Sequence, residues 1–236
     1  VINSDRVRLQ KGRRLASQRA KDTLSIRISG GPNLSVFQDV VKNSDELLST
    51  DLLAYYQFSM ETSTVIDDRM QYVVRFEPKV TLDYTLYKGL LYIDQETLAF
   101  TRAEFEMDMS DKQKAASSIL RKKPFGLRFK PSHVSFVIAY KQQNGRNYLN
   151  YICNELRFKC DWKRRLFSSA YTVRNEMVMV DRTDSPTDVI RSREAFRMRD
   201  ILSNVVDAYW EPDFWDDYNI IEPDESLESG IEKIRR

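Results

Sequence analysis

Residues able to make or break bonds at neutral pH are scarce in this sequence. His133 is the only histidine, so a Ser-His-Asp triad or a Cys-His dyad would have to be built around it. It opens an alternating stretch, and no matching nucleophile is flagged nearby. Histidine-clustered zinc is excluded by the same count. Cys153 and Cys160 share one apparent strand, Tyr148 to Trp162. Their odd separation sends them to opposite faces. Seven residues of strand span roughly 23 Å, against the ~7 Å between Cα atoms that a disulfide tolerates. No GxxxxGK[ST] run occurs, and Gly30-Gly31 lacks the rest of a dinucleotide fingerprint.

Carboxylates are more numerous. Glu104, Glu106 and Asp108 alternate on one face, ~7 Å between neighbours, a spacing that general acid–base pairs use and that solvated sheet faces also show. Asp213, Asp216 and Asp217 offer oxygen ligands to a hard cation, but in no EF-hand spacing. The clusters Arg121-Lys122-Lys123 and Lys163-Arg164-Arg165 could meet phosphates or anionic headgroups, and the second reads more simply as a charged hairpin tip. The expectation is therefore a non-enzymatic chain, with no catalytic residue, metal ligand or cofactor assigned and no nucleic acid among its partners.

The elements that must position any site are strands. From about residue 52 the apolar period becomes two, over Leu53–Glu61, Met70–Glu77, Thr85–Ile93 and Leu98–Met109. Further strands are expected at Gly126–Lys130, His133–Gln142, Arg146–Trp162 and Leu166–Arg182. Ile93 to Leu98 reads as a tight connection, and Asn144-Gly145 as a hairpin turn. Arg146–Trp162 is long enough to require a bend or bulge. Short connections force neighbours antiparallel. Around this body lie an initial strand at Thr23–Ile28, a short helix through Leu34, Phe37, Val40 and Val41, a turn capped by Ser44, and a helix from Ser110 to Leu120 with Ser110 as cap. Helical spacing returns at Phe196, Ile201, Val205 and Tyr209, and again over 225–235.

The fold class expected is α+β: a large curved antiparallel sheet, a half-open barrel, with a few helices on its concave face. Residues 1–21 form a basic segment, read as a linker from a domain upstream, and 22–236 a single domain. Lys plus Arg total 37 and Asp plus Glu 35, but the charge is uneven. Residues 1–21 hold seven cations against Asp5, and residues 207–228 hold nine acids and no cation. The two ends either attract each other or form separate solvated surfaces. No window approaches the ~18 apolar residues of a spanning helix. A spanning barrel is disfavoured by the helices and by charge on both faces of several strands.

Three segments resemble a known family. Phe214-Trp215-Asp216-Asp217-Tyr218, continuing to Leu227, is similar to the C-terminal signature of carboxypeptidase-like regulatory-domain proteins of outer-membrane bacteria. Tyr87–Arg102 resembles a sheet hairpin of the same proteins, and Leu120–Lys130 is similar as well. The family takes its name from a transthyretin-like sandwich that does not occur in this sequence, and no peptidase zinc site occurs either. The resemblance implies a half-open barrel like that of periplasmic lipoprotein carriers, with export to the periplasm and association with the outer membrane. It carries over no catalytic residue.

Two functions follow as expectations. In the first, Phe136, Ile138, Tyr140, Tyr171, Val173, Met177 and Met179 line the concave face and bind an apolar ligand, a lipid or a lipoprotein, since aromatic and methionine side chains adapt to irregular ligands. The same side chains would equally fill a core. In the second, Trp210, Phe214, Trp215 and Tyr218, framed by acids, dock the chain on an outer-membrane protein assembly. Their alternative role is a clasp holding the tail down. In both the chain is peripheral to the membrane.

Overall fold

Alternation of apolar and polar residues, sustained from Tyr56 to Val178, produces the body of the protein. In the computed structural model it is one antiparallel sheet of seven strands. The structure describes residues 6–12, 27–28, 32–47, 49–122, 125–162, 168–183, 189–197, 200–211 and 214. Contacts divide the chain into two compact units, Ile26–Thr187 and Val1–Ser25 with Asp188–Arg236, where the sequence reading set a single domain over 22–236.

The first unit opens with β1 (Arg27–Ile28), α1 (Pro32–Phe37), a 3₁₀ turn (Ser44–Glu46) and α2 (Thr50–Leu53). The strands β2 (Tyr56–Ile66), β3 (Arg69–Pro78), β4 (Tyr87–Asp94) and β5 (Phe100–Met107) follow, then α3 (Lys112–Ile119), β6 (Leu120–Lys122), β7 (Leu127–Gln143), β8 (Arg146–Trp162) and β9 (Ser169–Val178). The large sheet runs β2-β3-β4-β5-β7-β8-β9, while β1 and β6 pair separately. The curved antiparallel α+β architecture expected from the period is present, and the sheet does not close into a barrel.

Register shows which side chains share a face. One row crosses the sheet as Phe76, Gly89, Phe105, Phe136, Asn154 and Asn175, and the next as Val74, Leu91, Ala103, Ile138, Ile152 and Met177. Phe76, Leu91, Ala103, Phe105, Phe136, Ile138 and Ile152 are buried, so this is the core face. It is knitted by aromatic contacts: Phe105 stacks on Phe136 at 5.0 Å, and Tyr87 meets each edge-on at 5.5 and 5.8 Å. Gly89 is required in this row. A Cβ there would stand 2.1 Å from the Glu104 carbonyl oxygen and 2.6 Å from the Phe105 Cα.

Register shifts at four places in the large sheet bend the strands, one of them in β2 between Glu61 and Thr64. Ser132 is the extra residue between Pro131 and His133, Asn150 is extra opposite Ala139 and Tyr140, and Thr101 is extra opposite Tyr92 and Ile93. Gly126–Lys130 and His133–Gln142, expected as two strands, are therefore one strand interrupted at Ser132, and Pro131 sits where the ladder is already broken. Arg146–Trp162 has the expected bounds and the expected irregularity. Asn144 and Gly145 both have positive φ, as a two-residue hairpin turn needs. Asp67 and Asp68 make an equivalent turn without glycine, which lets β2 run on to Ile66.

Two caps differ from expectation. Helix α3 begins one residue late: the Asp111 carboxylate accepts from Gln113 N and Lys114 N at 2.9 and 3.1 Å, while Ser110 bonds to Asp108 instead. Ser44 lies inside its turn and caps nothing, and Ser49 caps α2 by accepting from Leu52 N at 3.3 Å. Along the outer strand β2, Phe58 and Met60 share the core face yet remain 45 % and 62 % exposed. Among the described residues the free side of β2 has no partner strand.

The second unit holds α4 (Leu202–Val205), continued by a 3₁₀ turn over Val206–Tyr209. Phe196, expected on the same helix, instead makes an isolated bridge to Val7, with Phe196 N donating to Val7 O at 2.7 Å. Gly12 N donates to Tyr209 O at 2.9 Å, and Lys11 pairs with Glu211. Here one cation of the basic segment meets one carboxylate of the acidic segment. The expected helix over 225–235 and the basic cluster Lys163-Arg164-Arg165 lie outside the described residues. Among the described residues no helix is long and apolar enough to cross a membrane.

Candidate functional site

An apolar cavity of about 170 Å³ opens between the core face and the segments laid over it. The sheet supplies Tyr87, Phe105, Met107, Val134, Phe136 and Leu156, one helix supplies Ser118 and Ile119 of α3, and residues 32–47 supply Phe37, Gln38, Val40 and Leu47. It exists because the covering segment is short. A six-residue helix cannot fill the width of a sheet with its own side chains, so space remains beneath it.

What holds that cover down is polar. Three side chains projecting from adjacent strands of the core face hydrogen-bond to it in succession. Asn175 Nδ2 donates to Ser35 Oγ at 2.6 Å, Asn154 Nδ2 to Gln38 Oε1 at 3.0 Å, and Tyr140 Oη to Asp39 Oδ1 at 2.8 Å. Ser35 and Asp39 are buried. Asp39 also accepts from Val41 N and Lys42 N, each at 3.2 Å, and so shapes the turn that ends the helix. Tyr140 Oη in turn accepts from Val41 N at 3.3 Å. Burial, then the neighbouring Asp39 carboxylate, push the Tyr140 phenol far above its ordinary value, so it is a neutral donor across the physiological range. The cover's apolar residues are unevenly buried: Val40 and Leu47 are in the core, while Phe37 is 44 % exposed and Val41 51 %.

The residues expected to bind a ligand are distributed unevenly about this cavity. All seven lie on or beside the core face, but among them only Phe136 lines the cavity. Ile138 is fully enclosed within the core, and Tyr140 is spent on Asp39. Tyr171 stacks on Phe158 at 5.3 Å. Val173 and Met179 are exposed near the β9 edge, and Met177 is half-buried opposite Ile152. Of the docking residues, Trp210 is 54 % exposed, and Phe214 lies 5.8 Å beneath the Lys11 ammonium. Trp215 and Tyr218 lie outside the described residues.

Sequence reasoning missed Gln38, Asn154, Asn175, Ser35 and Asp39. The one available signal was asparagine at core-face positions of β8 and β9, among Ile152, Leu156, Val173 and Met177. A polar side chain on such a face needs a partner from outside the sheet.

The titratable groups flagged in the sequence are engaged on the opposite face. Glu104 accepts from Arg102, Glu106 pairs with Lys88 at 3.2 Å and stands 3.5 Å from His133 Nδ1, and Asp108 accepts from Ser110 N at 3.0 Å. Each carboxylate is thus neutralised or bonded locally in a shallow charged surface. Cys153 and Cys160 are free thiols on opposite faces, and burial raises the Cys160 thiol above its usual value. Among the described residues no three His, Cys, Asp or Glu side chains converge as metal ligands. Asp213, Asp216 and Asp217 are outside the described residues.

Elsewhere at the end of the sheet, Asp94 organises the β4–β5 turn. It accepts from Thr97 N at 2.7 Å, Glu96 N at 3.0 Å and Thr97 Oγ1 at 2.8 Å, and from Arg69 Nε at 2.6 Å. Burial alone would raise its carboxyl. The Thr97 amide and the Arg69 guanidinium outweigh that and bring it down to about 2.

Comparison with known proteins adds no identification. No protein-family model matches the chain, and no curated protein matches it.

Proposed function

We propose that the chain is a non-enzymatic binding module that takes an apolar ligand into the cavity beneath residues 32–47. The observation that carries this reading is the pairing of an apolar, aromatic-lined space with a short cover attached by three side-chain hydrogen bonds and by the burial of Val40 and Leu47, while Phe37 and Val41 stay exposed. A neutral hydrogen bond contributes about 1 kcal/mol net and the bond to the Asp39 carboxylate about 2 kcal/mol, so a cover held by these bonds and by Val40 and Leu47 can open as a local unit while the rows of the sheet stay packed. A cavity of about 170 Å³ holds an aromatic ring or the end of an acyl chain; a ~150 Å³ apolar cavity admits benzene. Periplasmic residence and peripheral association with the outer membrane belong to the same proposal. They rest on the likeness of Tyr87–Arg102, Leu120–Lys130 and Phe214–Leu227 to carboxypeptidase-like regulatory-domain proteins.

Toluene titrated into isotope-labelled protein tests the reading. Amide shifts concentrated at Val134, Phe136, Leu156 and Gln38 are expected, and Val134→Phe, which fills the space, should abolish them while the rest of the spectrum keeps its dispersion. Shifts that are absent, or that persist in a folded Val134→Phe protein, would overturn it.

A second reading has one observation in its favour. Trp210 is more than half exposed in the unit that also holds Phe214, and an exposed tryptophan framed by Asp207 and Glu211 is suited to anchor a partner protein, such as an outer-membrane assembly. Trp210→Ala should leave the melting temperature unchanged; a fall of several degrees would make the residue structural.

A further inference from the structure

We infer that the cavity's ligand carries an amide, or an equivalent neutral donor–acceptor pair, next to an apolar group no larger than an aromatic ring. This rests on the binding reading above and specifies what is bound. Gln38 and Asn154 both line the cavity and bond to each other through one amide donor and one amide acceptor, 3.0 Å apart. A primary amide has two N–H donors and one carbonyl acceptor. That single bond therefore leaves the Gln38 Nε2 donors and the Asn154 Oδ1 acceptor free to meet a ligand. If both amides were flipped, the pair would still leave donor and acceptor capacity. A primary amide, whose C=O and one N–H point the same way, matches that capacity: its carbonyl accepts from Gln38 and its N–H donates to Asn154.

The rest of the lining argues against a charged ligand head. Its remaining residues are apolar or aromatic apart from Ser118 and Glu155. Ser118 Oγ donates to the Lys114 carbonyl at 3.2 Å, within its own helix. Glu155 alternates with Asn154 and Leu156 and so points to the opposite face of β8, where Arg157 Nε donates to it at 2.6 Å. Among the described residues no side-chain charge of either sign is left facing the cavity. A carboxylate or ammonium entering it would lose its hydration without gaining a counter-ion.

Five related probes separate the elements of this inference: toluene, methyl phenylacetate, phenylacetamide, phenylacetate and benzylammonium, each titrated into the whole chain and followed by amide shifts. Phenylacetamide should bind about tenfold more tightly than methyl phenylacetate, which lacks the donor, since one or two neutral hydrogen bonds supply a factor of that order. The two charged probes should bind more weakly than toluene. Gln38→Met should keep toluene binding and erase the preference for the amide. If toluene binds and the amide shows no advantage, the inference is overturned and the binding reading stands. A charged probe binding more tightly than toluene would also overturn it. If neither toluene nor any other probe binds, both fall. The comparison among probes in the unmodified chain remains decisive even where Gln38→Met fails to fold.

Discussion

Replacing Tyr140 by phenylalanine isolates the attachment of the cover. The substitution keeps the ring, which is buried, and deletes the hydroxyl that donates to Asp39 Oδ1 at 2.8 Å and accepts from Val41 N at 3.3 Å. A hydrogen bond to a carboxylate contributes roughly 1.5–3 kcal/mol, so about 2 kcal/mol of stability should be lost at pH 8. The same hydroxyl gives a second, independent signature. Its folded-state pKa is raised by burial and by Asp39, whereas an unfolded tyrosine titrates near ~10. Stability from this group is therefore complete below about pH 10 and is lost as pH rises above it. At pH 11 ionisation of Tyr140 stabilises the unfolded chain by about 1.4 kcal/mol, and phenylalanine is immune. Tyr56, Tyr92 and Tyr151, also raised, titrate in both proteins and cancel. Urea unfolding of the sheet, followed by circular dichroism, should give a gap of about 2 kcal/mol at pH 8 that shrinks to roughly 0.6 kcal/mol at pH 11. A gap that stays constant, or widens, would refute the geometry assigned to Tyr140.

Other outcomes follow from single contacts. Gly89→Ala forces a methyl into the β5 backbone and should cost at least about 2 kcal/mol in urea unfolding; a neutral result would contradict the close approach of β4 and β5. Asp94→Asn should be less stable at pH 7 and should flatten the acid limb, because the carboxylate's contribution, complete above about pH 4, is lost as pH falls through about 2. Acid unfolding curves of equal steepness for the two proteins would count against it. Of the two thiols, Cys153 should react with an aromatic disulfide reagent in the native protein and Cys160, 2 % exposed with a raised pKa, only after denaturation. Two fast thiols would show that β8 is misplaced.

The parts of the fold that were legible in the sequence are those whose cause is local. Period-two patterning located β2 to β5 to within a few residues at most ends, and Asn144-Gly145 marked its hairpin because only such residues take positive φ at both positions without cost. Boundaries slipped where the deciding group was one residue away, as with Asp111 in place of Ser110, or where a bulge merged two runs at Ser132. The cavity was not legible. Phe136 lines it, but its neighbours at Ile138 and Tyr140, identical in pattern, are core and anchor. Which of three alternating residues meets open space depends on a cover that begins at Pro32, and its bonds to Tyr140, Asn154 and Asn175 join residues 101, 116 and 140 positions apart. Periodicity is blind to that separation. Charge distribution offers attraction between the two ends as one of two readings, but not which residues pair, as Lys11 and Glu211 do.

The outer strand of the sheet has a further implication. From Gln57 to Val65 every residue of β2 is exposed, and the strand carries no lysine, arginine or proline. Among the described residues nothing pairs with its outward backbone donors and acceptors, which form an open template, and Phe58 and Met60 beside it provide greasy surface for whatever aligns there. Sheets left in this condition recruit further strands unless charge or curvature deters them. Solubility at high concentration should accordingly be set along this rim, and a single lysine in place of Met60 should improve it more than the same change almost anywhere else on the surface.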